Sequence, residues 1–168
     1  MTRLSQHLLL ALGALLVLVG ANYDILRKQG VVDEGAQILL PIRPTDPRSL
    51  LQGDYMSLRY AHTALPPDSL TASLPRRGSV VVRLDADGVA AFARLDDGAP
   101  LAAGELRLRY KRRFYEQEVS YGADAFYFQE GRADLYAKAK FGVLRVDGEG
   151  NSILVGLADE DHKMLTVR

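Results

Sequence analysis

The sequence contains no cysteine and no tryptophan, only 3 histidines, and no surplus of charge: 21 basic side chains stand against 21 acidic ones in 168 residues. Each shortage closes a class of function. Without Cys there is no disulfide, no thiolate metal site, no Cys nucleophile and no lipid-modified Cys of the bacterial lipoprotein kind. A formal net charge of zero removes the electrostatic footprint of a nucleic-acid partner. Phosphate-cradling GxxxxGK, HExxH and GxSxG patterns are also missing. Gly148-Glu149-Gly150 lacks the third glycine of a dinucleotide loop and falls in a β-turn. His7, His62 and His162 are scattered, and Asp159-Glu160-Asp161-His162 reads as a solvated turn before it reads as an oxygen-ligand cation site. No cofactor and no metal are expected.

What is present begins with the N-terminus. Leu8 to Ala21 reads LLLALGALLVLVGA, an uncharged stretch that suits a helix entering a membrane. Fourteen residues at about 1.5 Å each reach about 21 Å, short of the roughly 30 Å hydrocarbon core, so the flanks must contribute. Extension through Leu4 to His7 and Asn22 to Leu26 reaches spanning length, with Tyr23 at interfacial depth and Arg27 and Lys28 among the headgroups. The rival reading is a cleaved secretory signal ending at Val19-Gly20-Ala21. The uncleaved anchor is favoured because helix-compatible sequence continues through NYDILRKQ to Gly30, a C-terminal stop. Residues 1–30 are thus expected to be a single-pass signal-anchor helix, and residues 31–168 an extracytoplasmic domain.

That domain reads as mainly β (α+β): an antiparallel sheet or partly open barrel with one short helix. The expected strands are Gln37–Ile42, where Pro41 suggests an edge or a strand end, Asp54–Tyr60, and the hairpin of Gly78–Leu84 with Val89–Leu95 about Asp85-Ala86-Asp87-Gly88. Glu105–Lys111 alternates strictly and puts Leu106, Leu108 and Tyr110 on one face. Gln117–Tyr121 and Ala125–Phe128 are expected to pair about Gly122-Ala123-Asp124. Arg132–Phe141 is the helix candidate. Val143–Val146 and Ser152–Leu157 close the chain as a hairpin through Gly148 to Asn151.

The densest local signal is Pro44 to Tyr60, PTDPRSLLQGDYMSLRY. Asp46 suits a helix N-cap, Pro47 the first helical position and Gly53 a left-handed stop, so one helical turn is expected between two strands. In the strand that follows, Asp54, Met56, Leu58 and Tyr60 share a face. Asp54 is expected to be a buried carboxylate that fixes the turn, since an unpartnered one would cost several kcal/mol. Arg48, Ser49, Gln52 and Tyr55 would be exposed groups on a rigid loop, the usual bearer of binding. Gly53-Asp54-Tyr55-Met56-Ser57-Leu58-Arg59-Tyr60 spells GDYxxLxY, and with DPRSLLQ, FQEG at Phe128 to Gly131, AKFGVLRVD and LVGL the chain resembles the bacterial family named for that motif. The resemblance implies a membrane-anchored protein working beside polytopic membrane proteins, rather than a particular reaction.

A basic run, Arg107, Arg109, Lys111, Arg112 and Arg113, gathers Arg107, Arg109 and Lys111 on one strand face. Two readings stand: contact with anionic lipid or an acidic partner, or charge that protects an exposed strand from edge pairing. An enzymatic alternative rests on a partial likeness to the type I signal peptidases, with Thr45 as nucleophile and Lys111 as a buried general base. The function expected is a non-catalytic accessory or binding module. Its candidate site residues are Asp46, Arg48, Ser49, Gln52, Gly53, Asp54, Tyr55, Leu58 and Tyr60.

Overall fold

The computed structural model describes residues 3–43, 55–71, 73–112 and 119–166. Helix α1 (Arg3–Glu34) leads into strand β1 (Ala36–Arg43) with Gly35 alone between them. Its stretch Leu9–Glu34 is long and apolar enough to cross a membrane, and none of its most apolar part is covered by the rest of the molecule. The expected stop at Gly30 is not used: the helix continues to Glu34. Tertiary packing explains the extra turn, because Val31 is buried and the Gly35 amide donates to the Val31 carbonyl at 3.1 Å. A Cβ on Gly35 would collide with that carbonyl and stand 3.0 Å from the Val146 amide nitrogen. The Gly35 carbonyl accepts from Arg145 Nη1 at 2.9 Å. Helix and sheet are therefore joined without a linker.

The chain continues through β2 (Tyr55–Ser57), β3 (Arg59–Tyr60), a 3-10 turn at His62–Ala64, α2 (Asp68–Thr71), β4 (Arg77–Leu84), β5 (Ala90–Leu95) and β6 (Glu105–Arg112). It ends with β7 (Val119–Ser120), β8 (Ala125–Tyr127), α3 (Ala133–Tyr136), β9 (Phe141–Val146) and β10 (Ser152–Ala158). One four-stranded sheet has the order β10-β9-β1-β3, another the order β5-β4-β6-β7, and β2 pairs with β8. The named strands all pair antiparallel and curl into a half-barrel around one core. That core takes Ile38, Leu40 and Leu144 from the first sheet, Val80, Val82 and Leu108 from the second, and Met56 from β2. Backbone bonds stitch the two sheets together, Leu39 N to Gly88 O at 2.9 Å and Arg109 N to Gly150 O at 2.8 Å.

The expected β4–β5 and β9–β10 hairpins form, with Gly88 at φ 79° and Gly150 at φ 84° taking left-handed turn positions that glycine adopts without steric penalty. Four expectations need correction. Pro41 does not mark an edge, for β1 lies between β9 and β3. The Pro41 carbonyl accepts from Ala61 N at 2.8 Å. A residue's N and O point to the same side of a strand, so the missing donor faces away from β9 and that ladder is intact. Asp54–Tyr60 is not one strand, because at Leu58 the chain crosses from β2, paired with β8, to β3, paired with β1. Of the expected pair Gln117–Tyr121 and Ala125–Phe128, Gln117 and Glu118 lie outside the described residues, and the described parts do not pair with each other: Ser120 faces Lys111, and Phe126 faces Met56. The local turn signal at Gly122 was real (φ 67°), but it sends the chain between sheets. The helix expected over Arg132–Phe141 is confined to Ala133–Tyr136. Ala137 to Ala139 finish as a turn bonded back onto Ala133, Leu135 and Tyr136, and sheet hydrogen bonds claim the end of the segment, with Lys140 N on Ala158 O and Ile42 N on Lys140 O.

The junction makes a paired prediction. Gly35→Ala lowers the thermal unfolding temperature of the detergent-solubilised chain, since backbone on both sides must give way. Gly30→Ala, with open space around its Cβ, leaves it unchanged or stabilises by up to about 1 kcal/mol.

Candidate functional site

The motif divides by the period of the strand. Met56, Leu58 and Tyr60 point inward and are at most 3% exposed, while Tyr55, Ser57 and Arg59 point outward. Tyr60 explains why an aromatic alcohol is needed at the inner end: its hydroxyl donates to the carbonyl of Tyr121 and lies 3.2 Å from that of Ala123. Its ring meets the Tyr121 ring edge-on at 5.4 Å. The Tyr121 hydroxyl donates in turn to Ala64 O at 2.9 Å. Burial pushes the Tyr121 phenol far up, so it remains a donor at every physiological pH. Leu58 N donates to Asp124 O at 2.9 Å, and Ser120 Oγ bonds the Asp124 carboxylate. Leu58 and Tyr60 thus hold the 121–124 turn against β3, a structural task rather than contact with a ligand.

Tyr55 has a different setting. It stands opposite Tyr127 in register, with ring centroids 5.7 Å apart, and Tyr127 is 65% exposed. Behind this pair Phe126, Phe128 and Tyr136 stack within 6.4 Å of one another. The outer face of β2 and β8 is therefore a stiff aromatic platform at the end of the motif. Thr45, Asp46, Arg48, Ser49, Gln52, Gly53 and Asp54, with the helical turn expected there, lie outside the described residues.

The basic strand separates into committed and open groups. Arg107 grips the Asp96 carboxylate through Nε at 2.6 Å and Nη2 at 3.3 Å. That bond, with the Gly98 amide, holds Asp96 below its ordinary value against the opposing effect of burial. Glu105 is likewise held low, by the Ala102 amide and then by Arg83 and Arg94. Arg107 therefore does not belong to an open basic stripe. Arg109 Nη1 donates to Asn151 Oδ1 at 2.7 Å, and Nη2 lies 3.6 Å from Glu149 Oε2. Lys111 faces Arg77 across the ladder, and Arg109 faces Ser79. These residues, with Ser152, line an open hollow of about 520 Å³. The edge-protection reading does not fit, because β6 has β4 on one side and β7 with Gly150 on the other. Nor does Lys111 suit the peptidase alternative, which needed a buried base: it is exposed.

At the far end of the β9–β10 hairpin, Asp159 turns its carboxylate to the amides of Asp161 and Lys163 at 3.0 and 2.9 Å. No cluster of three or more His, Asp and Glu residues that could hold a metal occurs among the described residues. Sequence reasoning missed Arg77 and Ser79 as neighbours of Lys111 and Arg109, for which the only signal was the pairing of β4 with β6. It also missed Tyr121, whose role depends on contacts about sixty residues away in the chain.

A family model described as "GDYXXLXY protein" matches residues 17–157. No curated protein and no solved structure matches the chain.

Tyr60→Phe removes the hydroxyl but keeps the ring, leaving a buried carbonyl without its donor. The expected loss is about 1–3 kcal/mol of stability, read by denaturant unfolding in detergent. A loss confined to Tyr60→Ala, with Tyr60→Phe neutral, would show that packing alone matters there.

Proposed function

The chain belongs to the GDYXXLXY family, and from that premise we propose that it is a membrane-anchored, non-catalytic binding module of the bacterial inner membrane. In this reading α1 is an uncleaved single-pass anchor, the β domain is extracytoplasmic, and its partner is a polytopic membrane protein. The apolar part of α1 has no cover within the molecule, and lipid is the solvent that satisfies such a surface. The absence of a linker after Glu34 keeps the domain close to the bilayer, within reach of loops of a neighbouring membrane protein.

The observation that carries the binding role is the division of the motif. Leu58 and Tyr60 are absorbed by the fold, whereas Tyr55 and Tyr127 form an outward aromatic pair on a rigid backing. Large, stiff aromatic side chains with a polar tip are the residue type enriched in protein interfaces. Arg48, Ser49 and Gln52 lie just upstream of Tyr55 in sequence and would complete the surface, with Asp46, Gly53 and Asp54 shaping its turn.

A photo-crosslinking residue at position 127 in intact cells tests this directly. It is expected to trap a multi-spanning protein that the same probe at position 83, on an exposed arginine of β4, does not trap. The reading fails if neither position, or both equally, yields that adduct.

A further inference from the structure

The second sheet matches almost all its charges. Arg83 and Arg94 meet Glu105 at 3.2 and 3.3 Å, Arg94 also meets Asp97 at 2.7 Å, and Arg107 meets Asp96. At one end it does the opposite. Arg77 and Lys111 lie directly across the ladder from one another, both exposed, with no acidic group in ion-pairing reach among the described residues. Like charges placed directly opposite on paired strands repel, so this end of the sheet is destabilised unless an anion sits between them. Arg109 stands two residues along the same face of β6, and Asn151 holds its guanidinium in place. Asn151 is itself fixed, donating to Asp147 Oδ2 at 2.7 Å.

Hydroxyl donors of Ser79 and Ser152 complete the wall of the hollow. The open guanidinium of Arg77, that of Arg109 already engaged in part by Asn151 and Glu149, the Lys111 ammonium and two serines line one cavity, a donor set that suits the tetrahedral oxygens of a phosphate. The level of the hollow comes from α1. Asn151 and Ser152 also line a second, smaller hollow whose other wall is Asp24, Arg27, Lys28 and Val31 of the helix. Glu149 lies 3.6 Å from both Arg27 and Arg109 and joins the two. Even with Asp24 and Glu149 subtracted, the basic groups of the combined surface remain in excess. Lys28 lies about 7.5 Å along the helix from Tyr23, and a headgroup layer is roughly 5–8 Å deep.

We infer that the Arg77–Arg109–Lys111 hollow holds the phosphate of an anionic membrane lipid. This rests on α1 being a membrane anchor. Each basic residue close to an anionic surface strengthens attachment about fivefold. The bound headgroup relieves the Arg77–Lys111 repulsion.

Native mass spectrometry of the full chain, released from neutral detergent with phosphatidylglycerol or phosphatidylcholine present, reads the site. Phosphatidylglycerol is expected to be retained over phosphatidylcholine. Retention falls at least about tenfold in the double variant Arg77→Gln, Lys111→Gln, less in each single variant, and not at all in Arg83→Gln, whose charge is already paired. Undiminished retention in the double variant overturns the inference. So does complete displacement of the lipid by millimolar inorganic phosphate, which would make free phosphate the occupant. Failure of the anchor shows itself separately, as release of the wild-type chain from membranes by alkaline carbonate while phosphatidylglycerol retention in detergent is preserved.

Discussion

The close approach of two backbones at Gly35 is the constraint on which the rest of the molecule depends. The last carbonyls of α1 and the end of β9 meet across a residue with no Cβ, and Arg145 fastens the same residue from its side. Because β1 starts one residue later and pairs with β9 from Ala36↔Val146 onward, the direction of the helix sets the direction of the first sheet. The β9–β10 turn is thereby brought beside the charged end of the helix. Arg27, Glu149, Arg109 and Asn151 then form one chain of contacts from α1 to the second sheet. A flexible linker at this point would leave the same strands and the same core, but no defined relation between the β domain and the helix.

The signature motif works at a second junction. Between Ser57 and Arg59 the chain passes from the small β2–β8 sheet to the first large one. The residues that hold this crossing are Leu58, through its amide on Asp124, and Tyr60, through its hydroxyl on the 121–124 turn. A motif that spans such a crossing carries two kinds of requirement. Its inner positions fix the geometry, and its outer positions, Tyr55 with Tyr127 beside it, inherit a surface held rigid by that geometry. The proposed binding role belongs to the outer set, and mutational loss at Tyr60 would report on folding before it reported on recognition.

Much of the fold was legible because it was written locally. Alternation placed Leu108 and Tyr110 inward and Arg109 and Lys111 outward, and Asp-Gly and Gly-Asn turn chemistry placed the β4–β5 and β9–β10 hairpins. The apolar run of α1 was equally plain. What escaped was nonlocal: whether Gly122 closes a hairpin or redirects the chain, whether Lys140 and Phe141 extend a helix or enter a sheet, and how far α1 runs before tertiary contacts stop it. Each was decided by a partner distant in sequence, Met56 for Phe126, Ala158 for Lys140, and the β9 end for Gly35. The candidate site followed the same division. The exposed run on β6 was visible, but the pairing that removes Arg107 through Asp96 and adds Arg77 through β4 was not. The upstream part of the candidate site, Asp46 to Asp54, lies outside the described residues.

The central claim is that helix and β domain form one rigid piece that sets the β9–β10 turn at the level of the headgroups. A chain with no native Cys allows this to be measured with single spin labels at Gly148→Cys and Glu160→Cys, at opposite ends of the β9–β10 hairpin, in bilayers of the full-length protein. Power-saturation depth is predicted to put the label at 148 in the headgroup layer. The label at 160 should lie clear of it, by up to about 20 Å for strands of this length. Equal depths for the two labels, or a broad spread at 148, would contradict the account.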